Sequence, residues 1–144
     1  MEAIHVLLSG DSPADADVAL ETLSSSRLHI ETAVVTDGAE AIEFLHRRGE
    51  YAGAARPDLI LLDLNLPKFS GKQVLSDLKR DAELRKVPVV ILASSSADRD
   101  ILETYDLGAN CYVTKPVDLK AFQTIVKSID GFWFTVVRLP TKVD

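Results

Sequence analysis

Residues 58–67 read Asp58-Leu-Ile-Leu-Leu-Asp63-Leu-Asn-Leu-Pro67, and the fold of the whole chain can be reasoned outward from them. The centre of the stretch, Leu59 to Leu62, is an unbroken aliphatic run. A strand with one wetted face alternates apolar and polar residues, whereas a strand covered by helices on both faces does not. The run therefore predicts a buried central strand that delivers a carboxylate, Asp63, at its carboxyl end.

The same signature returns after Pro88, in Val89 to Leu92. Between the two runs, a turn through Pro67 and Gly71 leads into a helix with Val74, Leu75 and Leu78 on one side. Upstream, Ile4 to Ser9 is a short apolar run closed by Gly10-Asp11-Ser12-Pro13, where Ser12 suits a helix cap and Pro13 the first helical turn. That helix carries Val18, Leu20 and Leu23 and stops at the Ser24 to Ser26 cluster. Ile30 to Val35 is β-branched enough for a second strand, and Thr36 or Asp37 caps a helix bearing Ala41, Ile42, Phe44 and Leu45. Downstream, a helix over Asp98 to Leu107 holds Ile101, Leu102 and Tyr105 and ends at Gly108. Cys111 to Val113 makes a fifth strand, and Leu119, Phe122, Ile125, Val126 and Ile129 form the stripe of a last helix.

Five strand-helix units in strict alternation predict an α/β fold with an open, doubly wound, five-stranded parallel sheet, because parallel strands need right-handed crossovers. The expected strand order is 2-1-3-4-5. A closed eight-unit barrel needs about 250 residues, and the chain has 144. With 47% hydrophobic residues it can bury the core of one domain over residues 1–130. Residues 131–144 fall outside the periodic pattern and well short of the roughly 50 residues of an independent domain.

A formal net charge of −6 repels polyanions, which argues against nucleic acid as a partner. No apolar window approaches the roughly 18 residues of a membrane span, and the amino terminus has no cationic segment before its apolar run, so a cytoplasmic protein is expected. A single cysteine excludes an intrachain disulfide.

In doubly wound sheets the functional crevice lies beyond the carboxyl ends of the strands. Those ends present Asp11, Asp63, Ser94 with Ser95, and Lys115: two carboxylates, two hydroxyls and an amine on one rim. This is the set that phosphoryl transfer to a carboxylate requires. Asp63 serves as nucleophile, and a hard divalent cation, Mg2+, shields the incoming phosphate and takes oxygen ligands from Asp11 and Asp63. Lys115 is a point charge for the phosphoryl oxygens, and hydroxyls orient them. Asp11 also precedes Ser12-Pro13 and can help cap the first helix; the two roles are compatible. Ser94 to Ser96 read first as a helix entry and second as a phosphate donor. His5, His29 and His46 have no ligand spacing.

The run Asp58 to Pro67 together with Lys115-Pro116 resembles the response-regulator receiver family, and the likeness spans nearly the whole chain. More narrowly, Asp11-Ser-Pro-Ala-Asp15, Tyr105 to Tyr112 and the tail Phe132 to Pro140 are similar to the small stand-alone receivers that partner phytochrome histidine kinases. The resemblance implies a flavodoxin-like (βα)5 domain without an output domain. It implies Asp63 as phosphoacceptor, Asp11 in the metal site, Asn65 as a metal ligand through its backbone carbonyl, Lys115 pairing with the phosphoryl group and a cis bond before Pro116. It also implies Tyr112 as the aromatic switch position and a histidine kinase as donor.

Two departures from the family pattern bear on mechanism. Relatives carry an acidic pair where this chain has Gly10 and Asp11, so weaker Mg2+ binding is expected. Relatives place Thr or Ser at the end of the fourth strand, where this chain has Ala93, which can donate no hydrogen bond. Neighbouring strand residues face opposite sides, so Ser94 replaces the missing hydroxyl only if the turn re-aims it. These departures support the rival reading of a degenerate receiver that works as a phosphorylation-independent interaction module. An aspartyl-phosphate phosphatase would need an acid at Asn65, and a flavin carrier would need a phosphate-cradling loop where Asp11 places an anion.

In the tail, Phe132, Trp133, Phe134, Val136, Val137 and Leu139 are too apolar to stand free in water. Relatives dimerise through such segments, so a C2 homodimer involving residues 132–140 is expected.

Overall fold

The computed structural model describes residues 4–10, 12–24, 30–93, 98–109 and 111–114. Asp11, Ser94, Lys115, the bond before Pro116, the last helical stripe, the tail from Phe132 to Leu139 and the proposed boundary at residue 130 lie outside them.

Strand β1 (Ile4–Ser9) is followed by α1 (Pro13–Ser24), β2 (Ile30–Val35), α2 (Gly38–Leu45), β3 (Leu59–Asp63), α3 (Gly71–Arg80), β4 (Val89–Ala93), α4 (Asp98–Asp106) and β5 (Cys111–Thr114). The strands form one sheet in the expected order β2-β1-β3-β4-β5, and every pairing is parallel. Among the described residues no helix is long and apolar enough to cross a membrane.

The absence of alternation in the central strands has its physical cause in two-sided burial. Leu59 to Leu62 and Val89 to Ile91 are each at most 1% exposed. Leu7, Ile60, Leu62 and Ile91 share one core with Ala41 and Leu45 of α2 and with Val74, Leu75 and Leu78 of α3. Burying each such aliphatic side chain contributes about 1.5–3 kcal/mol.

Helix boundaries follow local chemistry. Asp37, not Thr36, is the cap of α2: its Oδ1 accepts from the Glu40 N–H at 2.7 Å. Ser70 starts α3 with a reciprocal capping box, in which Gln73 N–H donates to Ser70 and Ser70 N–H donates to the Gln73 side chain. Gly108 ends α4 with φ +104°, while Gly108 N–H donates to Tyr105 O and Ala109 N–H to Thr104 O. That pair of bonds closes the last turn through a left-handed residue, which glycine adopts without steric penalty.

Two features differ from the sequence expectations. Helix α4 stops at Asp106, one residue early, because Leu107 already belongs to the Gly108 turn. Its apolar residues Leu102 and Tyr105 are 64% and 44% exposed, whereas Thr104 is fully buried with its hydroxyl donating to Ile101 O. Short 3-10 turns at Gly49–Tyr51 and Leu84–Lys86 also had no periodic signature to announce them.

Candidate functional site

Asp63 is the last residue of β3 and is 3% exposed at the carboxyl edge of the sheet. Its Oδ1 accepts the main-chain N–H of Asn65 at 3.2 Å. Strand register pairs Ser9 with Leu62, which sets Gly10 beside Asp63. A Cβ placed on Gly10 would lie 3.6 Å from Asp63 Oδ2, an ordinary contact, and Gly10 is not in the left-handed region. Neither space nor backbone conformation therefore requires glycine there. What its presence changes is charge: position 10, beside the Asp63 carboxylate, offers no second anion.

The loop after Asp63 is fixed from several directions. Leu64 N–H donates to Leu92 O, and Gly71 N–H donates to Leu64 O. A Cβ on Gly71 would stand 2.4 Å from Asp63 O and 2.7 Å from Leu64 Cα, so α3 starts in direct contact with the main chain of Asp63. On the other side, Gly38 N–H donates to Pro67 O, and a Cβ on Gly38 would meet Phe69 O at 1.9 Å. Lys68 occupies φ +68° in a three-residue turn closed by Phe69 N–H to Pro67 O. Its ammonium lies 3.4 Å from Asp37. The Asp37 carboxyl is held below its usual range, first by the Glu40 N–H and also by Lys68.

Hard oxygen donors are what Mg2+ or Mn2+ prefers, and the carboxyl end of β3 offers the Asp63 carboxylate and the Asn65 carbonyl. The Asn65 side chain is exposed, in keeping with a role for its main chain only. Among the described residues no group of three or more His, Cys, Asp or Glu is arranged to hold a metal ion.

Ala93 is fully buried at the end of β4. The register Ile91↔Tyr112 and Ala93↔Thr114 puts Ala93 and Tyr112 on the same face of the sheet, with no hydroxyl between them at position 93. Tyr112 is half-buried against the core, and its main-chain N–H donates to the Tyr105 hydroxyl at 3.2 Å. Since β5 ends the observed strand order, this bond uses a helix side chain to satisfy an edge-strand donor.

The sequence places Asp63 at the carboxyl end of β3, the resemblance singles out Asn65, Ala93 and Tyr112, and neither gives Lys72 a role. Lys72 follows Gly71 and reaches α4, with its ammonium 3.2 Å from Asp100 Oδ1 and in closer contact with Glu103 Oε2. The Lys72 ammonium is pushed up, chiefly by Glu103 and also by Asp100. A lysine on a helix carries no signal that separates such a bridge from a solvated amine. The close approaches of Gly38 and Gly71 were equally silent, since they are made through space.

Comparison with known proteins agrees with this geometry. The model of the response regulator receiver domain matches residues 6–127. Response regulator Rcp1 of Synechocystis sp. is 42% identical over 135 residues, covering 94% of this chain and 92% of its own. The solved structure of the phosphorylated cyanobacterial phytochrome response regulator RcpA matches with a TM-score of 0.82 and 45% identity, covering 96% of this chain and 99% of its own. The Mn2+-bound form of Rcp1 matches with a TM-score of 0.80 and 42% identity, covering 95% and 99%.

Proposed function

The chain belongs to the response regulator receiver family, and on that premise we propose that Asp63 accepts a phosphoryl group from a histidine kinase and that the protein signals through altered protein contacts. The observation that carries this reading is the placement of Asp63: a nearly buried carboxylate at the carboxyl end of the central strand, with α3 seated against its main chain. Such a site orients one oxygen and holds the loop around it, and phosphoryl transfer asks for little beyond positioning and charge.

In the step, an Asp63 carboxylate oxygen attacks phosphorus. The new O–P bond forms as the N–P bond of the kinase phosphohistidine breaks, and the imidazole keeps that electron pair. Asp63, Asp11 and the Asn65 carbonyl would hold Mg2+, which would supply charge neutralisation at the phosphoryl oxygens. Lys115 pairs with the same oxygens, with Ser94 as an added donor if the turn aims it inward. Gly10 makes the metal site less anionic, which favours weak binding.

The likeness to RcpA, a phytochrome response regulator, supports a phytochrome histidine kinase as the donor. The tail from Phe132 to Leu139 is assigned to a C2 homodimer interface, with residues 1–130 as the receiver domain. Light scattering tests the assembly, and a monomer at high micromolar concentration contradicts it.

Gly10 and Ala93 favour a second reading, a phosphorylation-independent interaction module. Intact mass after incubation with acetyl phosphate and Mg2+ separates the two. Gain of one phosphoryl group by the natural chain and none by Asp63→Ala supports the acceptor, and no gain by either supports the module.

A further inference from the structure

We propose that Lys72 is the positioning residue through which occupancy of Asp63 reaches α4. This rests on the reading of Asp63 as phosphoacceptor and adds the route by which the signal leaves the site.

The route through a hydroxyl at position 93 is absent, because the residue there is Ala93 and its side chain has no donor. Helix α3 provides another. Its first residue, Gly71, touches the Asp63 carbonyl and is tied to Leu64 by its N–H. The Ser70 and Gln73 capping box fixes the direction in which the helix leaves the loop. One residue on, Lys72 bridges to Asp100 and Glu103, which lie three apart on α4. All three side chains are only about a third exposed, at 31%, 30% and 39%, so the ion pairs are screened less than surface pairs.

The far ends of the two helices also meet. The aliphatic stem of Lys79 lies over Gly108, where a Cβ would come within 2.9 Å of Lys79 Cε. Burial pushes the Lys79 ammonium down. Helix α4 is thus held by α3 at both ends, and the end nearer Asp63 is held by charge. Without the Lys72 cation, two carboxylates three residues apart on α4 repel each other. A displacement of the loop after Asp63 moves Gly71 and therefore Lys72, which biases α4 between a bridged and a released arrangement.

The test is hydrogen exchange of the amides from Ile101 to Leu107 in the natural chain, Lys72→Met and Lys72→Arg, each with and without Mg2+ and beryllium fluoride. Intact mass after acetyl phosphate is recorded for every variant. All three are expected to gain the phosphoryl group. Beryllium fluoride should change α4 exchange by about fivefold or more in the natural chain and in Lys72→Arg, and leave Lys72→Met unchanged. The double variant Asp100→Asn with Glu103→Gln, which breaks the bridge from the other side, should match Lys72→Met. An undiminished response in Lys72→Met, or an Arg variant that fails to restore it, overturns the proposal. Absence of phosphoryl gain by the natural chain is seen in the mass alone; it defeats the acceptor reading and the Lys72 route with it.

Discussion

Gly71 and Asp63 are in contact through their main chains, with the Asp63 carbonyl oxygen only 2.4 Å from where a side chain on Gly71 would begin. The helix after Asp63 is therefore seated on the backbone of Asp63 itself. This contact defines what the neighbouring glycines are for.

Gly71→Ala should destabilise the domain by about 2 kcal/mol or more, since the new methyl meets backbone that cannot step aside cheaply. Gly10→Ala should stay within about 1 kcal/mol of the natural chain, because among the described residues its Cβ meets nothing closer than 3.6 Å. Urea unfolding of both variants measures the contrast. Equal losses would contradict the packing described around Asp63.

Gly10→Asp places a second carboxylate beside Asp63 Oδ2. In metal-free buffer the like charges should lower stability by roughly 1 kcal/mol, and added Mg2+ should recover the loss. Mn2+ titration followed by paramagnetic resonance should show affinity rising about tenfold over the natural chain. Unchanged affinity would remove charge at position 10 as the reason for expecting a weak metal site.

The Tyr51 hydroxyl donates to Glu40, which also accepts the Thr36 N–H. The Glu40 carboxyl is held below its usual range, first by Tyr51 and next by Thr36, and the Tyr51 phenol is pushed up to about 12, chiefly by the same bond. A depressed carboxyl stabilises the fold above its unfolded value and loses that contribution as pH falls through the folded one. A raised phenol keeps its contribution below its ordinary value of 10.0 and loses it as pH climbs to about 12. Tyr51→Phe should therefore move the Glu40 midpoint upward in carboxyl NMR titration and cost roughly 1 kcal/mol near neutrality. A midpoint that stays put would mean that the bond is not formed in solution.

Tyr105→Phe removes the acceptor of the Tyr112 N–H at the sheet edge. The Tyr112 amide should exchange about fivefold faster, in line with the loss of one hydrogen bond of about 1 kcal/mol. Amides of β3 report whether the fold itself has loosened, and they should be unchanged.

Much of this architecture was legible in the residues because it depends on local periodicity. Leu59 to Leu62 announced a strand buried on two sides, Asp37 and Ser70 stand where caps belong, and Gly108 ends α4 by the one backbone conformation that favours it. Strand-helix alternation pointed to a parallel sheet, and the observed order β2-β1-β3-β4-β5 is what brings Gly10 to Asp63. Contacts made through space left no such trace. Nothing local separates Gly71, pressed on Asp63, from a turn glycine, or Lys72 from an exposed lysine. Helix α4 misleads a periodic reading because Thr104 turns inward while Leu102 faces out. Asp11, Ser94 and Lys115 lie outside the described residues, and their expectation stands on strand ends and on the family resemblance.

The central claim is that one carboxylate, Asp63, takes the phosphoryl group. The most direct measurement is borohydride reduction of the chain after phosphorylation by a phytochrome histidine kinase, which converts an aspartyl phosphate to homoserine, followed by peptide sequencing. Homoserine at position 63 and at no other aspartate is the predicted result. Homoserine at another position, or none in a chain that the kinase has been shown to engage, would contradict it.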